Sequence, residues 1–278
     1  MPVPRTARAA NFLQQIADRA RPQIEASDVA VIVAHPDDET IGCGALLARL
    51  KGALVIVVTD GAPRNLQDAR AYGFVSAAEY AKARTHELHA ALLLAGIAGG
   101  RIVQLGHPDQ ETAHRLPHLV SQVAEMFRNF GLRVALTHAY EGGHPDHDAT
   151  AFGVHHAAQR CPHPVCIVEM PFYRAEGAGA VRQSFVPAAG FKATVVELTP
   201  AEHVLKQRMI AAHATQKSVL AGFSADCEQF RMAPDYAFSQ LPNGGHVLYD
   251  RENWGIDSKR WLQCVQAALA EEQPAACV

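Results

Sequence analysis

The sequence lacks the features of membrane-spanning, secreted and nucleic-acid-binding proteins. None of its apolar runs approaches the roughly 20 residues that a bilayer-spanning helix needs. The N-terminal residues contain no apolar core of the kind found in signal peptides. The formal net charge of −3 gives no basic surface for nucleic acid or an anionic membrane. These absences predict a cytoplasmic protein with no nucleic-acid partner and no membrane span.

Two sequence patterns that bind zinc or nucleotides are also missing. None of the 6 cysteines forms a C-x-x-C pair, so a finger-type structural zinc site is not indicated. The cysteines, Cys277 among them, are expected to be reduced and mostly buried thiols. No G-x-G-x-x-G turn follows the first predicted strand. A nucleotide-binding Rossmann domain would need that turn, and three acidic residues stand there instead.

What is present is enough apolar sequence for a large folded domain. Hydrophobic residues make up 49% of the 278 residues and charged residues 19%, so a sizeable core can form. We expect one domain over residues 1–278. Its core spans about 29–216, and a C-terminal extension, about 217–278, packs on that core. The sequence leaves a homo-oligomer possible.

Continuous apolar runs alternate with helical patterns along the core. Strands are predicted at 29–34, 53–59, 101–105, 133–137, 165–169 and 193–198. Helices are predicted at about 6–21, 39–51, 77–95, 116–130, 148–159, 200–215 and 257–271. The alternation is typical of a doubly wound, mainly parallel Rossmann-like α/β sheet with helices on both faces, here with an irregular C-terminal extension. The expected order of the first five strands is 3-2-1-4-5.

Clusters of histidine and carboxylate side chains follow the first and fourth predicted strands. His35, Asp37 and Asp38 follow the first strand, and His144 and His147 follow the fourth. In the expected order, the first and fourth strands are neighbours, and successive strands are added in opposite directions on either side of them. Both clusters therefore reach the crevice at this switch point.

The two clusters have the composition of a catalytic zinc site. Such a site takes three ligands from His, Asp or Glu and keeps one position open for water, whose pKa the metal lowers to about 7. The first cluster has one carboxylate more than the metal needs as ligands, and the second cluster has one histidine more. These two extra side chains suit a general base and a group that polarises a carbonyl, and spacing alone does not say which residue has which role.

The motifs A-H-P-D-D-E at 34–39 and G-H-P-D-H at 143–147 resemble the signatures of the LmbE/PIG-L-type zinc-dependent N-deacetylases. The resemblance spans about 29–216. It implies a hydrolase that removes the N-acetyl group from an N-acetylglucosamine-containing or related small molecule by attack of a zinc-bound hydroxide. It also implies one Zn²⁺ per chain, although imidazole and carboxylate ligands suit other divalent ions too.

The resemblance implies roles for residues in and near the two motifs. Carried over by position, these are metal ligands His35, Asp38 and His147, general base Asp37, amide-polarising His144, orienting Asp146, and substrate-contacting Arg84 and Asp109.

Simpler explanations remain open for several of these residues. Asp38 suits the N-cap of the following helix, Arg84 suits a surface ion pair with Glu87, and Asp109 suits a solvated turn. Gly142 stands where some family members carry tyrosine. His107 precedes Pro108 and Asp109, where the resemblance implies an apolar or aromatic residue. Tyr140 and His107 are kept as further candidates without an assigned role.

Two other functions also remain open. One is a non-catalytic sugar-binding protein that keeps the metal site. The other is a zinc amidase that acts on a non-sugar or thiol-conjugate amide. The loop at 61–76 leaves the same edge of the sheet and is a candidate lid.

Overall fold

The computed structural model describes residues 5–272 of the chain. In chain order the strands are β1 (Ile24–Glu25), β2 (Val29–Val33), β3 (Leu50–Lys51), β4 (Leu54–Thr59), β5 (Ile102–His107), β6 (Val134–His138), β7 (Cys166–Met170), β8 (Tyr173–Glu176), β9 (Gly179–Arg182), β10 (Thr194–Glu197) and β11 (Cys227–Met232). The helices are α1 (Arg5–Ala17), α2 (Asp38–Leu47), α3 (Gln67–Ala71), α4 (Ala77–Leu94), α5 (Leu116–Asn129), α6 (Pro145–Arg160), α7 (Pro200–Ala212), α8 (Lys217–Leu220) and α9 (Ser258–Glu272).

Seven of these strands form the central sheet, in the order β10-β11-β7-β6-β2-β4-β5. The five strands from β7 to β5 pair in parallel, which confirms both the predicted mainly parallel sheet and the predicted strand order. The chain leaves β2 toward β4 on one side, while β6 lies on the other side of β2. The crevice between β2 and β6 is therefore the expected ligand site.

Helices cover both faces of the sheet because the central strands are apolar on both sides. Odd-numbered residues of β2 and β4, such as Val31 and Val55, pack with α1, α2, α4 and α7. Even-numbered residues, such as Ile32 and Ile56, pack with α5, α6 and α9. All residues of β2 and β4 are buried. Packing on both faces therefore holds in place the carboxyl ends of these strands, where the site begins.

Helix α2 lies very close to the sheet. A Cβ added to Gly42 would lie 2.8 Å from the Sδ of Met170 and 3.0 Å from the ring of Phe172, so only glycine fits there. The helix is kinked at Cys43, whose φ of −151° is not helical.

The C-terminal region departs from the sequence prediction. The pattern of residues 221–249 predicts mostly irregular structure, but Cys227–Met232 form β11, which pairs antiparallel with β7 and β10. The polar residues Glu228 and Arg231 hide the apolar pattern of this strand. Both are buried and paired, with Lys206 at 2.9 Å and Glu169 at 3.0 Å respectively.

Smaller differences concern the ends and the connections of the predicted elements. Helix α1 ends at Ala17 rather than near residue 21, and β8 and β9 form a hairpin that the sequence did not predict. The 61–76 segment contains the short helix α3. Cys43, Cys161 and Cys166 are buried, whereas Cys277 lies outside the described residues.

Within residues 5–272, no helix has both the length and the apolar character needed to cross a membrane.

Candidate active site

The histidine and carboxylate clusters meet at the carboxyl ends of β2 and β6, as the topology requires. His35 follows β2 directly, and His147 lies in the first turn of α6, after the loop that follows β6. Because β2 and β6 are neighbouring parallel strands, residues more than 100 positions apart in sequence come into contact.

The side chains of His35, Asp38 and His147 form a compact triangle of ligand atoms. The His35 Nδ1 lies 3.2 Å from the His147 Nε2 and 3.2 Å from the Asp38 Oδ2, and the latter two atoms are 3.4 Å apart. A tetrahedral ion with bonds of about 2.0–2.1 Å holds its ligand atoms about 3.3–3.4 Å apart. The three residues therefore fit a tetrahedral metal ion on one face of the triangle.

Asp38 uses its side chain within this triangle rather than as a helix cap. Its Oδ2 accepts a hydrogen bond from the backbone N–H of His35 at 2.8 Å, and the side chain is buried. Burial opposes ionisation of this carboxyl, but the neighbouring His147 and His35 outweigh burial and hold its pKa well below the usual range. An ionised carboxylate beside two imidazoles is the form that binds a metal ion.

Asp37 lies beside the triangle in a strained backbone conformation. Its φ is 138°, a region that favours glycine. Its backbone N–H donates to the Glu39 Oε2 at 3.0 Å, and its Oδ2 accepts from the Arg84 Nη2 at 2.9 Å. Burial, together with the nearby charge of Asp38, raises the pKa of Asp37 to about 7. A carboxylate with this pKa is suited to accept a proton at neutral pH.

Arg84 is buried and does not form the surface ion pair that its helical spacing also allowed. Its guanidinium donates to the carbonyl oxygens of Gly61 and Pro36 as well as to Asp37. Glu87 instead accepts hydrogen bonds from Thr215. Arg84 lines the same pocket as the triangle, with its hydrogen bonds directed at the protein.

His144 lies against the triangle, with its ring edge-on to that of His35 at a centroid distance of 4.6 Å. Its Nδ1 accepts a hydrogen bond from the backbone N–H of Asp146 at 3.1 Å. Burial, followed by the charge of His35, lowers the pKa of His144 well below its usual value. The ring is therefore neutral with its proton on Nε2, and it is a hydrogen-bond donor from that atom.

The carboxylate of Asp146 has other partners than the sequence suggested. Its oxygens accept from the backbone N–H groups of Gln110 at 2.6 Å and Thr112 at 3.2 Å. Its Oδ2 lies 3.4 Å from the His35 Nε2. Asp146 thus orients His144 through its backbone N–H, whereas its carboxylate faces His35. The backbone N–H of Asp146 is free to donate to His144 because Asp146 lies in the first turn of α6, where N–H groups have no partner within the helix.

Asp109 is buried rather than part of a solvated turn. Its Oδ1 lies 3.3 Å from the His35 Nε2, and its Oδ2 lies 3.8 Å from the Arg84 Nη1. Together with Asp146, it places two carboxylates at the nitrogen of His35 that points away from the triangle. Carboxylates in this position typically hold a metal-ligating imidazole in the correct orientation and tautomer.

The two further candidates lie outside the site. His107 pairs through Nε2 with the Gln122 Oε1 at 2.7 Å. The Tyr140 hydroxyl donates to the Gln240 carbonyl oxygen and accepts from the Trp261 Nε1, so it belongs to the C-terminal core.

Sequence reasoning missed His138 as part of the site. Its ring stacks on that of His147 at 4.1 Å, and its Nε2 accepts from the backbone N–H of Ala34 at 2.8 Å. A signal was present, because His138 ends β6 at the same edge of the sheet. No such signal marks the aromatic residues Tyr173, Phe223 and Trp254, which also line the pocket.

A family model described as PIG-L, GlcNAc-PI de-N-acetylase, matches residues 30–158, which contain both histidine–carboxylate motifs. Residues 30–158 are thus similar to the PIG-L family. This match confirms the resemblance predicted from the two motifs. No curated protein matches the chain by sequence.

Several solved structures share the fold of this chain. The A40926 pseudoaglycone deacetylase Dbv21 is 19% identical, with a TM-score of 0.59, over 77% of this chain and 99% of that chain. The N,N'-diacetylchitobiose deacetylase from Pyrococcus horikoshii is 18% identical, with a TM-score of 0.56, over 84% and 96%. The zinc-inhibited form of teicoplanin deacetylase Orf2 is 17% identical, with a TM-score of 0.56, over 75% and 99%.

Proposed function

We propose that the protein is a zinc-dependent N-deacetylase that releases acetate from an N-acetylated sugar or a related small molecule. The observation that carries the proposal is the triangle of His35, Asp38 and His147, whose ligand atoms lie 3.2–3.4 Å apart beside Asp37 and His144. The PIG-L family match and the deacetylase names of the similar structures support the same activity.

His35, Asp38 and His147 would hold one divalent ion per chain. Zn²⁺ suits two imidazoles and one carboxylate, and such an ion supplies a Lewis acid that makes water nucleophilic near neutral pH. One solved form of the teicoplanin deacetylase Orf2 is inhibited by zinc, so the metal concentration has to be varied in any assay of this chain.

The remaining side chains supply the proton transfers and the charge stabilisation of amide hydrolysis. Asp37 accepts the proton of the attacking water and later returns it to the nitrogen of the leaving amine. The Nε2–H of His144 donates to the acetamide oxygen as negative charge develops on it. Arg84 and Asp109 line the pocket that takes the rest of the substrate. The products are acetate and the free amine.

The whole chain is proposed as one deacetylase domain that acts on small molecules. Strand β11 lies inside the central sheet, and α9 packs on one face of that sheet. Both observations support treating the C-terminal region as part of the same domain. A homo-oligomer is compatible with this proposal.

Acetate release from a panel of N-acetylated compounds tests the function. The panel should contain N-acetylglucosamine, N,N'-diacetylchitobiose and acetylated non-sugar amines, each assayed with the metal-free protein and with stepwise added Zn²⁺. We expect acetate from at least one sugar, dependent on about one equivalent of metal. No acetate from any compound at any metal content would overturn the proposal.

A further inference from the structure

The pocket has a continuous aromatic side, formed by Tyr173, Phe223 and Trp254. The ring centroids of Trp254 and Tyr173 are 6.4 Å apart, and those of Tyr173 and Phe223 are 6.2 Å apart. All three residues are only partly buried, so their rings remain accessible from the pocket. The match to the PIG-L family ends at residue 158, so none of the three belongs to the matched region.

Trp254 is held next to the reacting groups. Its ring centroid lies 4.7 Å from that of His144, the proposed donor to the acetamide oxygen. The indole therefore lies one ring away from the position where the acetamide would be hydrolysed. A cyclic substrate that puts its acetamide at His144 can therefore place the adjoining ring against Trp254.

The segment that contains Trp254 is anchored on the loop of the second motif. The backbone N–H of Leu248 donates to the Gly142 carbonyl oxygen at 2.8 Å, and the Tyr249 hydroxyl donates to the Asp148 Oδ2 at 3.3 Å. A Cβ on Gly142 would lie 2.7 Å from the side chain of Val247, which explains why glycine is required at this position. Residues 247–249, shortly before Trp254 in the chain, are thus held against the loop of the second motif by direct contacts.

The same pocket also contains charged groups. Asp68, Arg84 and Asp109 line it together with the aromatic rings. A pyranose ring matches this combination, because its axial C–H bonds make one face apolar while its hydroxyls project from the rim. The negative face of an aromatic ring attracts such polarised C–H groups, and carboxylates accept from hydroxyls. An acyclic acetylated amine presents no flat C–H face to stack.

We infer that Trp254 is a stacking platform for the pyranose ring that carries the acetamido group, and that it makes the enzyme selective for N-acetylated sugars over acyclic amides. This inference rests on the proposed deacetylase function. It assigns to the C-terminal region, outside the part matched by the family, a direct part in substrate selection.

Kinetics of Trp254→Ala and Trp254→Phe test the platform. With N-acetylglucosamine we expect Trp254→Ala to raise KM about tenfold, with kcat changed by less than about twofold, and Trp254→Phe to recover most of the loss. With N-acetylethanolamine, which has no ring, KM should not change. Leu93→Ala, at a residue of α4 that is 72% exposed, is the matched control for loss of an accessible apolar group.

Fluorescence gives a second measurement that is independent of turnover. The chain has 2 tryptophans, and Trp261 is fully buried, so Trp254 is the one that a bound ligand can reach. Titration of the zinc-loaded protein with glucosamine, the product of the sugar reaction, should change tryptophan emission in the wild type. The change should be absent in Trp254→Phe, which keeps Trp261.

The outcomes separate this inference from the proposed function. If the wild type deacetylates the sugar and Trp254→Ala leaves KM unchanged, the platform is wrong and the function stands. A loss of kcat at constant KM also overturns it, since Trp254 would then act by holding His144. If only acyclic amines release acetate, the platform is wrong and the function stands. If no compound of the panel releases acetate, the function fails, and the glucosamine titration alone decides whether Trp254 contacts a sugar.

Discussion

The guanidinium of Arg84 donates to the carboxylate of Asp37 at 2.9 Å, and both residues are 5% exposed. This ion pair joins helix α4 to the strained residue that we propose as the general base. The family resemblance alone had suggested that Arg84 contacts substrate hydroxyls. The pairing instead predicts that Arg84 acts on catalysis by positioning Asp37.

Arg84→Gln is expected to lower kcat about 10²-fold, the scale expected when a reacting group is misplaced by about 1 Å. KM should change little. The acidic limb of the pH–kcat profile should also move to higher pH, because the charge of Arg84 lowers the pKa of Asp37. Steady-state kinetics across pH measure both effects, with Arg70→Gln at an exposed position as the control. A raised KM with normal kcat would return Arg84 to a substrate-contacting role.

Asp37 and Asp38 are adjacent in sequence, but their variants should behave differently. Asp37→Asn should keep about one metal equivalent and lose about 10²–10⁴-fold in kcat, because only proton transfer is removed. Asp38→Ala should lose the metal, because it removes one corner of the ligand triangle. Metal content measured by inductively coupled plasma mass spectrometry distinguishes the two variants. Metal loss in Asp37→Asn would make Asp37 a ligand.

Asp146→Asn should weaken zinc binding. The carboxylate lies 3.4 Å from the His35 Nε2, and loss of such an outer partner typically costs about 10–100-fold in metal affinity. Competition with a fluorescent chelator measures this affinity. Asp68→Asn, which alters a pocket carboxylate away from His35, is the control. Unchanged zinc affinity together with reduced kcat would instead mean that Asp146 acts on His144.

The buried pair Lys206–Glu228 should contribute to the stability of the kinked helix α2. The Lys206 Nζ donates to Glu228 and to the carbonyl oxygen of Ile41, and Glu228 accepts from the backbone N–H groups of Ala45 and Leu46. Glu228→Gln leaves the lysine charge buried and unpaired, so the free energy of unfolding should fall by about 3–5 kcal/mol.

Urea unfolding of the metal-free protein measures this effect. Glu25→Gln, in the exposed Lys51–Glu25 pair, is the matched control and should change stability little. A change in Glu228→Gln no larger than that of the control would show that the buried pair does not stabilise the fold.

Glu141 should make stability fall with rising pH. Its Oε1 accepts from the backbone N–H groups of Phe172 and Tyr173, and burial raises the pKa of its carboxyl well above the usual value. A raised pKa in the folded state contributes stability that is fully present below the unfolded pKa of about 4.3 and is lost as pH rises through the folded pKa.

Glu141→Gln keeps the accepting oxygen and removes the titration. Its free energy of unfolding should therefore fall less steeply than that of the wild type as pH increases above about 4.3. Chemical denaturation at a series of pH values gives the two slopes. Parallel slopes would mean that Glu141 is not the titrating group.

Several parts of the fold and the site followed from local sequence. The apolar runs around Val31 and Val55 specify strands buried on both faces, and the motifs at 34–39 and 143–147 follow neighbouring strands. Strand order was predictable because βαβ crossovers are right-handed. The location of the candidate site was predictable because ligands bind at the carboxyl ends of the strands, at the point where the strand order reverses.

Other parts depended on contacts between residues far apart in sequence. Strand β11 was missed because Glu228 and Arg231 read as exposed residues until Lys206 and Glu169 are seen to pair with them. The partner of the Asp146 carboxylate was missed for a related reason, since it depends on the loop at 110–112.

The sequence by itself determined the five parallel strands, their order and the two histidine–carboxylate clusters at their carboxyl ends, because periodicity and motif position act locally and through topology. Only the tertiary structure decided that Arg84 pairs with Asp37, that Asp146 faces His35 and that Trp254 reaches His144. Such contacts join segments that are far apart in the chain and have no sequence motif or periodicity in common. They are fixed by packing and by the need of each buried charge for a partner, which depend on the whole fold.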